Sequence, residues 1–237
     1  MKEDVAVKVL SKNLVLNVDI LQCIKRGSAE IMFASDKGVM IYDNISEAYM
    51  MNIEDKEIAK TMINQIPQEA QIIVTHQEQY CELLIKKFKF KDKMICSNSV
   101  YTKDVPMEVS KASPEIRLLN RDYIGFVMEH YSKKDLCNAE YIGERIDAGV
   151  IYGAFIDGEL GGFIGGHEEG SIGMLEVLPK FRRRKIATHL IVKAVNEMLK
   201  KGLYAYGQIE EGNEASTKLQ KGLGFEISKE KIYWLFK

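Results

Sequence analysis

Four consecutive cations, Arg182, Arg183, Arg184 and Lys185, follow a proline and precede a periodic apolar run in Leu175-Glu-Val-Leu-Pro-Lys-Phe-Arg-Arg-Arg-Lys-Ile-Ala187. A strand that ends at Pro179, a cationic turn and a helix starting at small or apolar residues make a ready anion site. The first N–H groups of a helix lack intrahelical acceptors, and the helix dipole places positive potential behind them. Guanidinium and ammonium groups add charge-assisted hydrogen bonds to phosphate oxygens. The chemistry to expect is the grip of a polyanionic ligand over residues 175–199. A basic run alone would equally suit a solvated loop, a localisation signal or a nucleic-acid patch. This one is held between a strand and an amphipathic helix, with no aromatic platform or second basic stripe beside it.

The whole chain supplies no global field for such a ligand. Of its 237 residues 33 are Lys or Arg and 34 are Asp or Glu, giving a net charge of -1. Recruitment of nucleic acid or a membrane by overall charge is therefore excluded, and anion binding has to be local. Cys23, Cys81, Cys96 and Cys137 form no C-x-x-C pair, which reads as reduced thiols in a cytoplasmic protein without a disulfide frame or metal site. The N-terminus has no signal-peptide pattern, and no apolar run nears the roughly 20 residues that span a bilayer.

The elements that must position the turn follow from periodicity. Strands are expected at 115–119, 150–156, 160–166, 172–178, 203–209 and 232–236, with Asp157-Gly158 as a hairpin turn. Helices are expected at 122–130 with Asp122 as cap, at 139–146, from 185 to about 199 with Gly202 ending it, and from Asn213 to about Gly222. Pro106 and Pro114 bracket a polar stretch, 107–113, that reads as a linker. The expected domains are 1–112 and 113–237. Slid by 135 positions, the first half meets the second, Gly38 on Gly173, Leu84 on Leu219 and Phe90 on Phe225. The order of elements recurs over about fifty residues, which points to two related halves. In this register Glu47 replaces Arg182, Glu78 replaces Asn213, and the segment 47–52 offers no glycine or cation for a phosphate.

Val177-x-Pro179-x-x-Arg182-Arg-Arg-Lys-Ile-Ala187 resembles the coenzyme A signature of the GNAT superfamily of N-acetyltransferases, Gln/Arg-x-x-Gly-x-Gly/Ala. Asn213-Glu-Ala-Ser216-x-x-Leu219-x-Lys221-x-Leu223-Gly224-Phe225 resembles that superfamily's next motif, in the same order and spacing. The phrase at 170–179 and the Leu219-Gln220 pair bring it nearest to the branch that includes glycine N-acyltransferases. The resemblance implies an α+β fold, a mixed twisted sheet flanked by helices, with a degenerate first half. It implies acyl transfer, acetyl-CoA first, to the primary amine of a small molecule in a ternary complex. It assigns the co-substrate to Leu175, Val177, Arg182, Arg183, Arg184, Lys185, Ile186, Ala187, Thr188, Asn213, Ser216 and Gln220. No metal, nucleic acid or membrane is implied, and the protein is expected as a monomer or homodimer. A non-catalytic acyl-CoA sensor is the alternative.

Two positions depart from the family pattern. Lys185 stands where the loop has its first glycine, and Gln220 where many members carry a tyrosine acid. An amide donates a hydrogen bond but no proton near neutral pH. A thiol of pKa about 8.5 leaves with little protonation help. The resemblance gives the oxyanion to the backbone N–H of Val177. Ser171 and Gly173 occupy the strand positions of the usual bases, and neither can serve. Candidates nearby are His167, Glu168 and Glu169 in the preceding turn and Glu176 in the strand. For the acceptor, Tyr123, His130, Tyr131, Tyr141 and Glu144 either line a pocket or pack as amphipathic faces.

Overall fold

A computed structural model describes residues 2–108, 114–133 and 137–237. The chain divides into two compact units, Met1–Tyr101 with Tyr206–Lys237, and Thr102–Ala205. The first half contributes α1 (Lys2–Leu10), α2 (Leu14–Lys25), β1 (Ala29–Ser35), β2 (Gly38–Asp43), β3 (Ala48–Ile53), α3 (Lys56–Gln65), β4 (Ile72–Thr75), α4 (Cys81–Phe88) and β5 (Asp92–Tyr101). The remainder contributes β6 (Glu115–Leu118), α5 (Ile124–His130), α6 (Ala139–Asp147), β7 (Tyr152–Ile156), β8 (Glu159–Gly166), β9 (Ile172–Val177) and α7 (Ile186–Lys200). It ends with β10 (Ala205–Glu210), α8 (Glu214–Gly222), β11 (Glu226–Ile227) and β12 (Ile232–Phe236).

In the first unit the strands run in the order β1-β2-β3-β4-β12-β5-β10, with β11 on β5. β3 and β4 are parallel, while β12 is antiparallel to both β4 and β5. The last strand of the chain thus lies inside the sheet built by the first hundred residues. Alternation puts Leu235 with Met51, Ile53, Ile73, Leu84 and Phe88 in one buried cluster under α3 and α4. In the second unit β9-β8-β7-β6 is an antiparallel meander. Val127 of α5, Tyr131 just after it, and Ile142 and Ile146 of α6 pack with Phe155, Phe163 and Met174 of its strands. The helix α7 packs against β7, β8 and β9. The mixed α+β class expected from the sequence is the fold observed.

The units do not follow the expected cut. Residues 206–237 join the first hundred instead of completing 113–237. The cut itself and most of the expected linker, residues 109–113, lie outside the described residues. Met107 is bound on both sides of its peptide by the Asn196 side chain of α7, at 2.8 and 3.0 Å. Asp122 does not cap the helix after it. A 3₁₀ turn, Arg121–Tyr123, precedes α5, and Asp122 accepts from Asn120 instead.

The internal repeat is one of elements, and its register needs correction. The order α-α-β-β-β-α-β-α-β runs from α1 to β5 and again from α5 onward. The shift of 135 aligns α3 with α7, β4 with β10 and α4 with α8, but it lays β3 on the cationic turn. The strand before α3 is β3, and only Glu54 and Asp55 separate them. Residues 178–185 separate β9 from α7. The first-half counterpart of the cationic turn is therefore Glu54-Asp55, not 47–52. Asp55 Oδ1 accepts from the N–H groups of Glu57 and Ile58, each at 3.0 Å, so a carboxylate already holds the anion position of that helix.

Candidate functional site

The second unit brings together the turn and the carboxylate-rich hairpin before it. β9 carries a bulge, since Phe163 faces Glu176 and Gly165 faces Gly173, leaving Ile164 opposite both Met174 and Leu175. Met174 adopts φ 51 there although buried, a left-handed conformation rare for a side chain of that size. Beyond the bulge, Leu178 donates to Gly161 at 2.9 Å. The neighbouring pair Gly162 and Val177 is then the non-hydrogen-bonded kind, and the N–H of Val177 turns away from β8.

After Pro179 the chain makes a 3₁₀ turn, buries Phe181, and exposes the four cations. Arg182 Nε donates to the carbonyl of Val177 at 3.2 Å, and the Arg184 guanidinium sits 5.7 Å from the Phe181 ring. Arg183 and Lys185 are left-handed, with φ 62 and φ 58. Lys185 is the N-cap of α7 and makes no side-chain capping bond. The N–H groups of Ile186, Ala187 and Thr188 are left with no intrahelical acceptor. Ile186 is buried, while Ala187 and Thr188 are half-buried. A strained cationic turn thus aims at the uncapped start of the 15-residue helix α7.

The position that the family fills with glycine is left-handed here, so Lys185 keeps the geometry at a conformational cost of roughly 1–2 kcal/mol. Lys185→Gly is expected to raise the stability of the ligand-free protein by about 0.5–1 kcal/mol, after the greater unfolded-state freedom of glycine is deducted. It is also expected to weaken acetyl-CoA binding severalfold through loss of a cation. Chemical denaturation of the apo protein and titration with acetyl-CoA measure the two effects, and a fall in both would mean that the lysine side chain itself braces the turn.

The remaining residues of the expected co-substrate set are in the first unit, Ser216 and Gln220 on α8 and Asn213 just before it. Asn213 is the helix cap, accepting from the N–H of Ser216 at 3.0 Å. Gln220 donates to the Ser216 hydroxyl at 2.9 Å, and its Oε1 is buried without a hydrogen-bond donor.

The base candidates separate clearly. Glu169 is only 7% exposed and accepts from the Ser171 hydroxyl, so it is no solvated hairpin tip. Glu168 lies 3.7 Å from Arg145 of α6. Glu176 accepts from the N–H of Ser132 at 2.9 Å, tying the segment after α5 to β9. His167 closes the turn through its backbone N–H to Ser171, and its Nδ1 lies 2.8 Å from the Tyr141 hydroxyl. Its ring covers Gly173: a Cβ there would lie 2.5 Å from Cδ2 and still closer to Nε2. Burial, followed by Glu169 and Glu168, pushes the Tyr141 phenol well above its ordinary range.

Of the possible acceptor residues Tyr141 is joined to this group through its hydroxyl. Tyr131 is buried in the core, Tyr123 packs edge-on against Phe155, His130 stacks on Phe126, and Glu144 is exposed. Sequence reasoning did not pair Tyr141 with His167, nor place Arg145, whose Nε is buried without a partner. No spacing rule links α6 to a turn that far along the chain. Among the described residues no three His, Cys, Asp or Glu side chains form a metal-binding group, and no helix is long and apolar enough to cross a membrane.

Comparison with known proteins agrees with the geometry of the turn. Residues 116–225 match the model of the Acetyltransferase (GNAT) family. No curated protein matches the chain in sequence. A crystal structure of a Drosophila protein superimposes with TM-score 0.73 at 15% identity, covering 99% of this chain and 95% of that one. A GNAT-family acetyltransferase from Colwellia psychrerythraea gives TM-score 0.54 at 13% identity, covering 98% and 97%. A GCN5-related N-acetyltransferase from Kribbella flavida gives 0.55 at 10% identity, covering 98% and 95%. These likenesses carry the fold, and the match over 116–225 is a resemblance of that part of the chain to the Acetyltransferase (GNAT) family.

Proposed function

We propose that the protein transfers an acyl group, acetyl in the first instance, from acyl-CoA to the primary amine of a small molecule by direct attack in a ternary complex. The observation that carries this reading is the turn at 182–185, where four cations and two left-handed residues precede an uncapped helix start. Diphosphate oxygens are what such a turn suits. Acetyl-CoA supplies a thioester-activated acyl group. The N–H of Val177, turned away from β8, is the donor for charge developing on its carbonyl oxygen. Within the superfamily we place the protein nearest the glycine N-acyltransferase branch, on the residues at 170–179 and Leu219-Gln220. It would act as a cytoplasmic monomer or homodimer without a metal, nucleic acid or membrane.

The test is thiol release from acetyl-CoA and longer acyl-CoAs across a panel of small primary amines. Turnover that depends on the amine is the expected result. Tight acetyl-CoA binding with no thiol release from any pair would replace the enzyme by an acyl-CoA sensor, the reading that Gln220 at the acid position favours.

A further inference from the structure

We propose that His167 is the base that takes the acceptor's proton, through Nε2, and that Tyr141 is the positioning residue holding its Nδ1. The inference rests on the acyl-transfer reading above. Its ground is a substitution of place: β9 has no side chain at Gly173, and the imidazole from the adjoining turn fills the space where that side chain would begin. Gly173 has no left-handed backbone, so the absent side chain, not the conformation, is what admits the ring. The other candidates are engaged, Glu169 with the Ser171 hydroxyl and Glu176 with the N–H of Ser132.

Tyr141 fixes the ring from α6. With its oxygen accepting from Nδ1–H, the lone pair of His167 lies on Nε2, the nitrogen over Gly173. The charged groups around this pair are Glu168 and Glu169 from the same turn and Arg145 from α6, with the Tyr131 phenol beyond. Two carboxylates against one guanidinium suit an ammonium acceptor.

The step balances as follows. An acceptor arriving as ammonium gives one proton to Nε2, which passes it to water. Its nitrogen lone pair then forms the C–N bond to the acyl carbon, and the C–S bond breaks with its electron pair on sulfur. One of its two remaining N–H protons goes to Nε2 and from there to the thiolate, and the other stays on nitrogen, leaving amide, thiol and neutral histidine.

Three variants and one spectrum test the assignment. His167→Gln is expected to lower kcat by 10²–10⁴-fold and to remove the acid limb of the kcat/KM profile, with the thermal shift by acetyl-CoA kept. Gly173→Ala, which displaces the ring without touching it chemically, is expected to lower kcat at least tenfold. Tyr141→Phe is expected to lower kcat severalfold with the KM for the amine unchanged. In the intact protein, ¹⁵N-detected imidazole spectra should show Nδ1 protonated and Nε2 bare. A His167→Gln variant within threefold of the parent kcat, or an Nε2–H tautomer in the parent, overturns the proposal. Absence of transfer by the parent to any amine, with the Nδ1–H tautomer present, instead sinks the acyl-transfer reading.

Discussion

A chain ended after Glu230 is expected to lose the fold of its first unit altogether. β12 runs between β4 and β5, paired with both over Ile232 to Phe236. Its Ile232, Tyr233, Trp234 and Leu235 are buried. Full burial of an apolar side chain contributes about 1.5–3 kcal/mol, so the four together approach roughly 6–12 kcal/mol. A whole domain is stable by only about 5–15 kcal/mol. Removing the strand also leaves β4 and β5 with unpaired ladder groups in the middle of a sheet, where no solvent meets them. Far-UV circular dichroism and limited proteolysis of the shortened chain should show a collapsed or aggregated first unit. A cooperative transition with an unchanged denaturant slope would mean that the sheet closes without β12. A fragment that begins at Ser113 fails for the mirror-image reason: it keeps β12 and lacks both of its partners.

Much of this architecture was legible because local rules and packing agree. Ile186, Leu190, Ile191, Ala194 and Val195 fall on one helical stripe in the sequence and are buried together in α7. Asp157 and Gly158 take φ 52 and φ 84, the left-handed pair that their types call for in a two-residue hairpin. The cationic turn announced itself by composition alone. What the sequence did not show is non-local. β12 looks like any closing strand, and nothing in its residues tells that it returns to sit between β4 and β5. The repeat register slipped for a related reason: matching residues at a fixed offset cannot see that one half has Glu54-Asp55 where the other has residues 178–185. An acidic pair beside a glycine does not tell that Glu169 is buried in the turn and accepts from the Ser171 hydroxyl. His167 and Tyr141 carried no joint signal, since their meeting depends on how α6 lies against the hairpin.

Replacing Arg182 and Arg184 by alanine together is expected to weaken acetyl-CoA binding by about 100-fold while the ligand-free protein keeps its fold. Both side chains are exposed, and neither has an ion-pair partner among the described residues. Arg182 spends its Nε on the Val177 carbonyl, leaving its terminal N–H groups for an anion, and Arg184 rests over Phe181. A charge-assisted hydrogen bond contributes about 1.5–3 kcal/mol, and exposure brings each toward the lower end, so the pair accounts for roughly 3 kcal/mol. Linkage turns this into a thermal readout. At a concentration 100 times its Kd a ligand stabilises the folded state by about 2.7 kcal/mol. With affinity lowered 100-fold at the same concentration, the stabilisation falls to RT ln 2, about 0.4 kcal/mol. The apo melting temperature serves as the control, because loss of the Arg182 bond to Val177 touches the end of β9. An equal fall in apo stability and in ligand shift would assign the arginines to the strand, and an undiminished shift would move the phosphates away from the turn. The expected pattern, a lost shift on an unchanged apo protein, has a direct physical source. The uncapped N–H groups of Ile186, Ala187 and Thr188 are fixed by the helix, so substituting the arginines removes charge from a site whose backbone half stays in place.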